Sequence, residues 1–566
     1  MPLVDSLPAD VPWRACSRAT RLSVCLRATR LSMRLRATLL ALALASVASV
    51  SAAPLSPAGT SARVVVREFE FSGNTVIATP QLLAIAAPFA GHTLADADLQ
   101  GLLQRLTDVY LQAGFSTSLA TLPEQGAQDG VLRIVIVEGF LEQIVVTGTA
   151  GIDPAYIAAR LQTGLTAPLN LAVLNANLQL LKQERGIATL SAELVPGHKR
   201  GGAVLNVVVE EAARYSAGLR VANDRAPAVG GTRGMLEASV HNLLGRADEL
   251  NVAAGLASGL HDLDVRAAVP WSAAGPEFSL RYFRAASELV EEQFQVLGAK
   301  TRSSALDIGV SQVLWHDLHG RLKMSVNLLG KQSTSTLLGQ PYSFSPGVEN
   351  GRAKVRVVRL ALQWQQQFAR DSVSARVAWS AGLGVLGATE HNDGLPDSRF
   401  HSAYLQLQWL HTLGPRAGAL YLRGEAQLST DGLLPLEKFS LGGSNSVRGY
   451  RRSRFVRDEG WSASFEYRLP LLRVALPGVS RRAGDGQLSA VLFVDGGRAW
   501  NHAHDSFHQF EASTTLLAAG PGLRWEIGPD INAEIMWGGI RRHLADTGRD
   551  LQDLGVHFAL NAQLQF

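Results

Sequence analysis

The stretch Gly442-Gly443-Ser444-Asn445-Ser446-Val447-Arg448-Gly449-Tyr450, followed by Arg451, Arg452 and Arg454, puts glycines and fixed cations into one short segment. Glycine permits backbone angles and close approaches that a Cβ resists, and Arg448 carries a permanent charge with five N–H donors in a planar fork. Such a charge is either solvated on a surface loop or matched by an acidic partner. Catalytic patterns are missing from the chain. No G-x-x-x-x-G-K-[ST], H-E-x-x-H or G-x-S-x-G occurs, and His92 and His198 stand alone. The expectation is a non-enzyme with no catalytic residues, metal site or cofactor.

The elements that must position Arg448 begin after a separate N-terminal segment. Seven arginines between Arg14 and Arg36 precede an uncharged run from Leu39 to Val50 and then the small residues Ser51, Ala52 and Ala53. Basic, apolar and small regions in that order describe a secretory signal peptide over residues 1–52, cleaved after Ala52. The repeated LRAT at 26–29 and 35–38 points to Met33 as an alternative start. The seven arginines against Asp5 and Asp10 contribute +5, so the formal +4 of the chain becomes about −1 after cleavage. The basic pI therefore gives no reason to expect nucleic acid. Cys16 and Cys25 are also removed, which leaves no thiol nucleophile and no disulfide. No later run of 18 apolar residues predicts a membrane-spanning helix, which leaves a periplasmic, secreted or β-barrel protein.

Past a linker at 53–62, residues 63–139 read as strand (Val64 to Phe71), two helices (Pro80 to Pro88 and Leu94 to Ala113) and two strands (Ser116 to Leu122 and Val131 to Glu138). Residues 140–213 repeat that order, with a strand over 143–147 leading into Gly148, helices over 154–163 and 170–184, and strands over 188–195 and 203–210. The two copies resemble tandem POTRA domains, periplasmic modules of outer-membrane translocators and insertases; a generic α/β repeat is the plainer reading. The exposed edge of such a sheet can accept an extended client through main-chain hydrogen bonds.

From residue 214 the pattern changes to segments of about ten residues with period two. Leu420, Leu422, Gly424, Ala426 and Leu428 share one face, and Tyr421, Arg423, Glu425 and Gln427 the other. Trp461, Ala463, Phe465, Tyr467 and Leu469 likewise alternate with Ser462, Ser464, Glu466 and Arg468. Alternation alone fits a soluble sandwich equally well. Turn lengths favour a transmembrane barrel of about sixteen strands over 214–566, because short connections on one end face long ones on the other, 470–486 excepted. The longest connection, 429–460, holds Arg448. At the terminus Val556, Phe558, Leu560, Ala562, Leu564 and Phe566 alternate with polar residues, which resembles an outer-membrane insertion signal carried by Phe558, Leu560, Leu564 and Phe566.

Taken together, residues 63–566 resemble the TpsB-type transporters of two-partner secretion, also called hemolysin secretion/activation proteins. The carriers of the resemblance are two POTRA-like modules, the strand count, the Val447-Arg448-Gly449-Tyr450 loop motif and an F-x-D-x-G motif at Phe493, Asp495 and Gly497. The resemblance implies a mainly β protein whose loop 429–460 folds into the lumen, where Arg448 pairs with Asp495; an ordinary hydrated lumen aspartate is the alternative for Asp495. It implies an outer-membrane pore with its N-terminal domains in the periplasm, which secretes an unfolded TpsA-like exoprotein of hemolysin or adhesin type without nucleotide hydrolysis. Outer-membrane lipid and the barrel assembly machinery are its other expected partners. A barrel insertase is the main alternative, and a passive porin a weaker one. Relatives often carry a plug helix, for which the ten residues after the expected cleavage site leave little room.

Overall fold

A computed structural model describes residues 64–123, 130–184, 186–477, 479–480, 485–502, 513–528, 530–540 and 549–566. The expected signal peptide, its cleavage site, the linker and any plug helix lie outside the described residues. The chain forms two compact units, one ending at Gly139 and one running from Phe140 to Phe566.

In the first unit, Glu68–Ser72 pairs in parallel with Val131–Val137, which pairs antiparallel with Leu119–Thr121. Helices Thr79–Ala86 and Asp96–Gln112 cover the sheet. Leu99, Leu102, Leu106 and Tyr110 recur at helical spacing and are buried against Phe69, Leu132, Ile134 and Ile136. The expected strand from Val64 to Phe71 is divided: Val64–Val65 pairs with Thr93–Leu94 instead, and only Glu68–Ser72 joins the main sheet. Alternation continues through the break, so the sequence pattern does not show it.

Residues 140–211 repeat this plan, with Phe140–Thr147 parallel to Gly202–Glu211, which is antiparallel to Ile187–Pro196. Helix Pro154–Gln162 starts at Asp153, whose carboxylate accepts from the Ala155 N–H, and Leu171–Leu181 starts at Asn170, which accepts from Ala172. The repetition extends to single atoms. Gly73 (φ +82°) and Gly148 (φ +83°) each follow the first strand, where a Cβ would come within 2.3 Å of the Ile136 carbonyl or 2.4 Å of the Val209 carbonyl. Two residues beyond those carbonyls, Glu138 accepts from the Thr75 and Val76 N–H groups, and Glu211 from those of Ala150, Gly151 and Ile152.

The rest of the second unit is a closed antiparallel barrel. Its sixteen strands run from Tyr215–Ala222 to Val556–Gln565, with the two ends paired in register from Ser216↔Gln565 to Ala222↔Ala559. The Tyr215 and Phe566 backbones exchange two N–H to O bonds of 3.0 Å, and their rings stack. Strand side chains decide which face is which. Leu236, Leu256, Leu428, Phe465, Ile535 and Leu564 are exposed on the outer wall, whereas Glu237, Glu425, Glu466 and Asp495 point inward. Apolar outside and polar inside is the inverse of a soluble sandwich, so the wall is built to face lipid. Several strands outrun the sequence expectation: the sixth to eighth (Lys300–His316, Gly320–Leu337 and Arg352–Gln367) have 17, 18 and 16 residues, more than the ~9–11 that cross a bilayer. The seventh strand continues through residues 330–337, and Gln340–Pro341 pairs back onto its end. The loop between the eleventh strand, Gly418–Ser429, and the twelfth, Glu459–Arg473, is buried along most of its length.

Candidate functional site

The loop 430–458 folds back inside the barrel because its base is fastened and its apolar side chains have inward apolar surface to cover. At the neck, the fully buried Asp458 accepts from the Leu433 N–H and from Lys438 Nζ, both at 2.9 Å, and from the His502 N–H at 3.0 Å. Next to it Glu437 is held by Lys331 (2.9 Å) and Arg359 (3.0 Å) from the barrel wall. Leu433, Leu434 and Leu436 pack on Val355, Val357 and Phe400, so this part of the lumen wall is apolar. The segments Phe439–Leu441 and Phe455–Arg457 then pair as a short hairpin that carries the 442–454 tip deeper.

Val447 and Tyr450 pack with Phe439, Leu441, Ala499, Leu516 and Ala518. Between them Arg448 enters a polar site made by the twelfth strand and the thirteenth, Gln487–Trp500. Its Nε and Nη2 each donate to an Asp495 oxygen at 2.8 Å, and its own backbone N–H donates to Asp495 Oδ2 at 2.9 Å. Nη1 donates to Glu466 Oε1 at 2.6 Å and Nη2 to Ser464 Oγ at 2.8 Å, while the guanidinium carbon lies 3.7 Å from the centre of the Phe493 ring. The fork of an arginine suits this bidentate geometry, and the Phe493 face offers a second contact of electrostatic sign. Glu466 is also bound by Arg468 at 2.8 Å, and Arg524 reaches both Glu466 (3.9 Å) and Glu534 (2.8 Å). Three carboxylates, Asp495, Glu466 and Glu534, thus alternate with three arginines, Arg448, Arg468 and Arg524, and none of these charges is buried alone.

Phe493, Asp495 and Gly497 share one face because strand side chains alternate. Each meets the loop differently. Phe493 stacks, Asp495 pairs, and Gly497 leaves room, since a Cβ there would lie 2.5 Å from Leu441 Cδ1. Gly449 (φ +90°) holds a conformation that favours glycine, donates its N–H to His557 Nε2 at 3.0 Å, and approaches the Gly538 carbonyl so closely that a Cβ would lie 2.7 Å away. The Tyr450 hydroxyl donates to the Leu517 carbonyl at 3.3 Å. Arg451 bridges Asp553 and Glu291 of two other loops, and the Arg452 N–H donates to Gln552. Of the residues expected to carry an insertion signal, Leu560, Leu564 and Phe566 are exposed on the outer wall and Phe558 is partly so.

Sequence reasoning singled out Val447 to Tyr450 and Phe493, Asp495 and Gly497, and the structure brings these two groups together. It missed Glu466, Ser464, His557 and Gly538 as members of the site. Ser464, Glu466 and His557 do fall on the polar faces of their strands, but alternation gives the face of a residue and not its height along the lumen. The arrangement can hold a loop in the pore through charge and close backbone contact.

Comparison with known proteins agrees with this geometry. The family described as haemolysin secretion/activation protein ShlB/FhaC/HecB matches residues 201–525, and the POTRA domain, ShlB-type, matches residues 64–139. The outer membrane transporter CdiB of Dickeya dadantii is 24% identical over 461 residues, covering 78% of this chain and 77% of its own. The hemolysin transporter protein HpmB of Proteus mirabilis is 23% identical over 412 residues, 70% of this chain and 71% of its own. Among solved structures, CdiB from Escherichia coli aligns with a TM-score of 0.64 at 21% identity, covering 97% of this chain and 99% of that one. BamA from Haemophilus ducreyi lacking POTRA domains 1-3 gives 0.54 at 12% identity over 88% and 100%. At these identities the structural likeness speaks for the fold.

Proposed function

The chain belongs to the haemolysin secretion/activation family, and on that premise we propose that it captures one unfolded exoprotein of hemolysin or adhesin type in the periplasm and conducts it through the barrel, without nucleotide hydrolysis. It is an outer-membrane transporter, not an enzyme, with its N-terminal region in the periplasm. The observation that carries the reading is the inward loop, fastened to the lumen wall through Arg448 and Asp495. A pore for a passing chain needs an occluding part that can move, and a loop held by a few concentrated polar contacts can be released as a unit.

We read residues 63–139 and 140–213 as tandem POTRA domains that dock the client. The matched turn glycines and glutamates of the two modules support a second copy beyond the one the family match covers. The outer edges Glu68–Ser72 and Phe140–Thr147, each bonded on one side within its sheet, suit an extended partner.

Two experiments test this function. Arg448→Ala should lower secretion of the partner exoprotein at normal barrel abundance, and wild-type secretion would overturn the loop's role. Deleting residues 63–213 should abolish export yet leave a folded, heat-modifiable barrel; unaffected export would overturn the docking role. The likeness in fold to BamA keeps barrel insertion as a second reading, for which depletion of this protein would reduce many outer-membrane proteins rather than one secreted partner.

A further inference from the structure

On the outer wall of the fifth to eighth strands, cations replace the apolar belt at one end. The fifth strand, Glu277–Glu288, presents outward Phe278, Leu280 and Tyr282 and then Arg284; the sixth presents Val310, Ile308 and Leu306 and then Ser304, Arg302 and Lys300. The seventh passes from Val326 and Leu328 to Gln332 and Thr334, and the eighth from Leu362 and Leu360 to Arg356, Lys354 and Arg352. Register makes these one surface: Arg284, Ser304, Gln332 and Lys354 lie on one ladder line, and Ala286, Arg302, Thr334 and Arg352 on the next. At about 4.8 Å between strands, the line from Arg284 to Lys354 spans about 14 Å.

Little on the protein neutralises this surface. Lys300 pairs with Glu288 at 3.2 Å and Arg356 donates to the Leu386 carbonyl, but Arg284, Arg302 and Lys354 have no carboxylate within ion-pair distance among the described residues. Leu386 beside them is 81% exposed, so apolar and cationic surfaces adjoin. The corresponding outward positions of the twelfth and thirteenth strands and of the fourteenth, Ser513–Ile527, include Trp461, Arg498, Trp500, Ser513 and Thr515, with a single cation. The patch is therefore local.

Its place in the membrane follows from the other end of the barrel. The module 140–213 touches the opposite, short turns, where the Asp153 N–H donates to the Gly245 carbonyl at 2.9 Å and Arg160 to the Ala273 carbonyl at 2.8 Å. With that end periplasmic, the cations sit where the apolar belt meets the outer leaflet's headgroups. We propose that Arg284, Arg302 and Lys354, with Lys300, Arg352 and Arg356 around them, bind the phosphate groups of the outer leaflet's diphosphorylated glycolipid, the lipid A part of lipopolysaccharide. The belt below takes its acyl chains, and Ser304, Gln332 and Thr334 supply hydrogen bonds between the cations. Charge complementarity selects a phosphorylated headgroup, and the outer-leaflet level selects the glycolipid over phospholipid. The inference rests on the outer-membrane reading and extends it to a lipid class and a binding face.

The test uses full-length protein purified in detergent, with native mass spectrometry of adducts formed with diphosphorylated lipid A, the same lipid stripped of phosphate, and phosphatidylglycerol. The intact lipid should remain bound, and adducts should fall about tenfold on phosphate removal and in R302E/K354E. Arg498→Glu, on the far wall, should leave them unchanged. Equal retention by R302E/K354E, equal binding of the stripped lipid, an equal loss in R498E, or equally strong phosphatidylglycerol binding would each overturn the proposal. If the double reversal does not give a heat-modifiable barrel, R302Q/K354Q provides the same comparison. Because lipid adducts are read without a client, their absence leaves the secretion reading intact, and a secretion defect alone does not bear on the lipid site.

Discussion

Arg448 and Asp495 depend on each other because neither has water to fall back on. Asp495 is fully buried, and removing one member of a buried, hydrogen-bonded ion pair costs about 3–5 kcal/mol by leaving the other uncompensated. Lysine is no substitute, since one ammonium cannot serve two Asp495 oxygens, Glu466 and Ser464 in the same plane. Arg448→Lys should therefore lower secretion nearly as far as Arg448→Ala, as measured by exoprotein in the medium at matched barrel levels. Steric fit is equally local. A Cβ on Gly538 would lie 2.6 Å from the Gly449 nitrogen, so Gly538→Ala should displace the loop tip and alter single-channel conductance without changing barrel abundance.

The module glutamates give a pH dependence with a definite sign. Burial raises the Glu138 carboxyl, but hydrogen bonds from Thr75, Val76 and Tyr110 outweigh it and hold the group below its ordinary 4.5. Glu211 behaves alike, burial being outweighed by the Ile152, Gly151 and Ala150 N–H groups with help from Arg214. A depressed folded value means that the stabilisation is present above 4.5 and lost as pH falls below it, through the lower folded value. Protease sensitivity of residues 63–213 in the full chain should rise over that range, and E138Q/E211Q should lack the step.

At the scale of elements, the loop is held in three zones that differ in physics. Its base is a set of buried ion pairs at Asp458 and Glu437, its middle an apolar hairpin, and its tip the Arg448 site. Release of the tip alone leaves the base in place, so the loop is suited to swing about its neck rather than leave the barrel. The last strand carries a different task. Phe566 closes the seam through backbone bonds and stacking on Tyr215, and deletion of Phe566 should reduce the amount of heat-modifiable barrel in the outer membrane. Unchanged abundance would remove the terminal signal from the account.

For the whole molecule, the question is whether a client passes along the axis or through the wall. Ala217 and Leu564 are register partners across the seam, and no cysteine follows Cys25 to compete with an engineered bridge. Oxidised A217C/L564C should secrete normally if conduction is axial. Loss of secretion on oxidation, restored by reductant, would instead point to lateral opening and the insertase reading.

The sequence by itself determined which side chains share a strand face, the strand number and the two motifs at Arg448 and Asp495, because period-two alternation, turn length and short motifs are local properties of the chain. Alternation alone did not determine that apolar faces turn outward, since a sandwich alternates in the same way; turn lengths favoured it, and the closure of Tyr215–Ala222 on Val556–Gln565 with apolar side chains exposed on the wall decided it. Nor did the sequence reveal the break between Val65 and Glu68, the extension of the sixth to eighth strands, or the parts played by Glu466, His557 and Gly538. Those depend on register, which sets the height of each residue along the lumen and follows from pairing across the sheet rather than from neighbours in the chain.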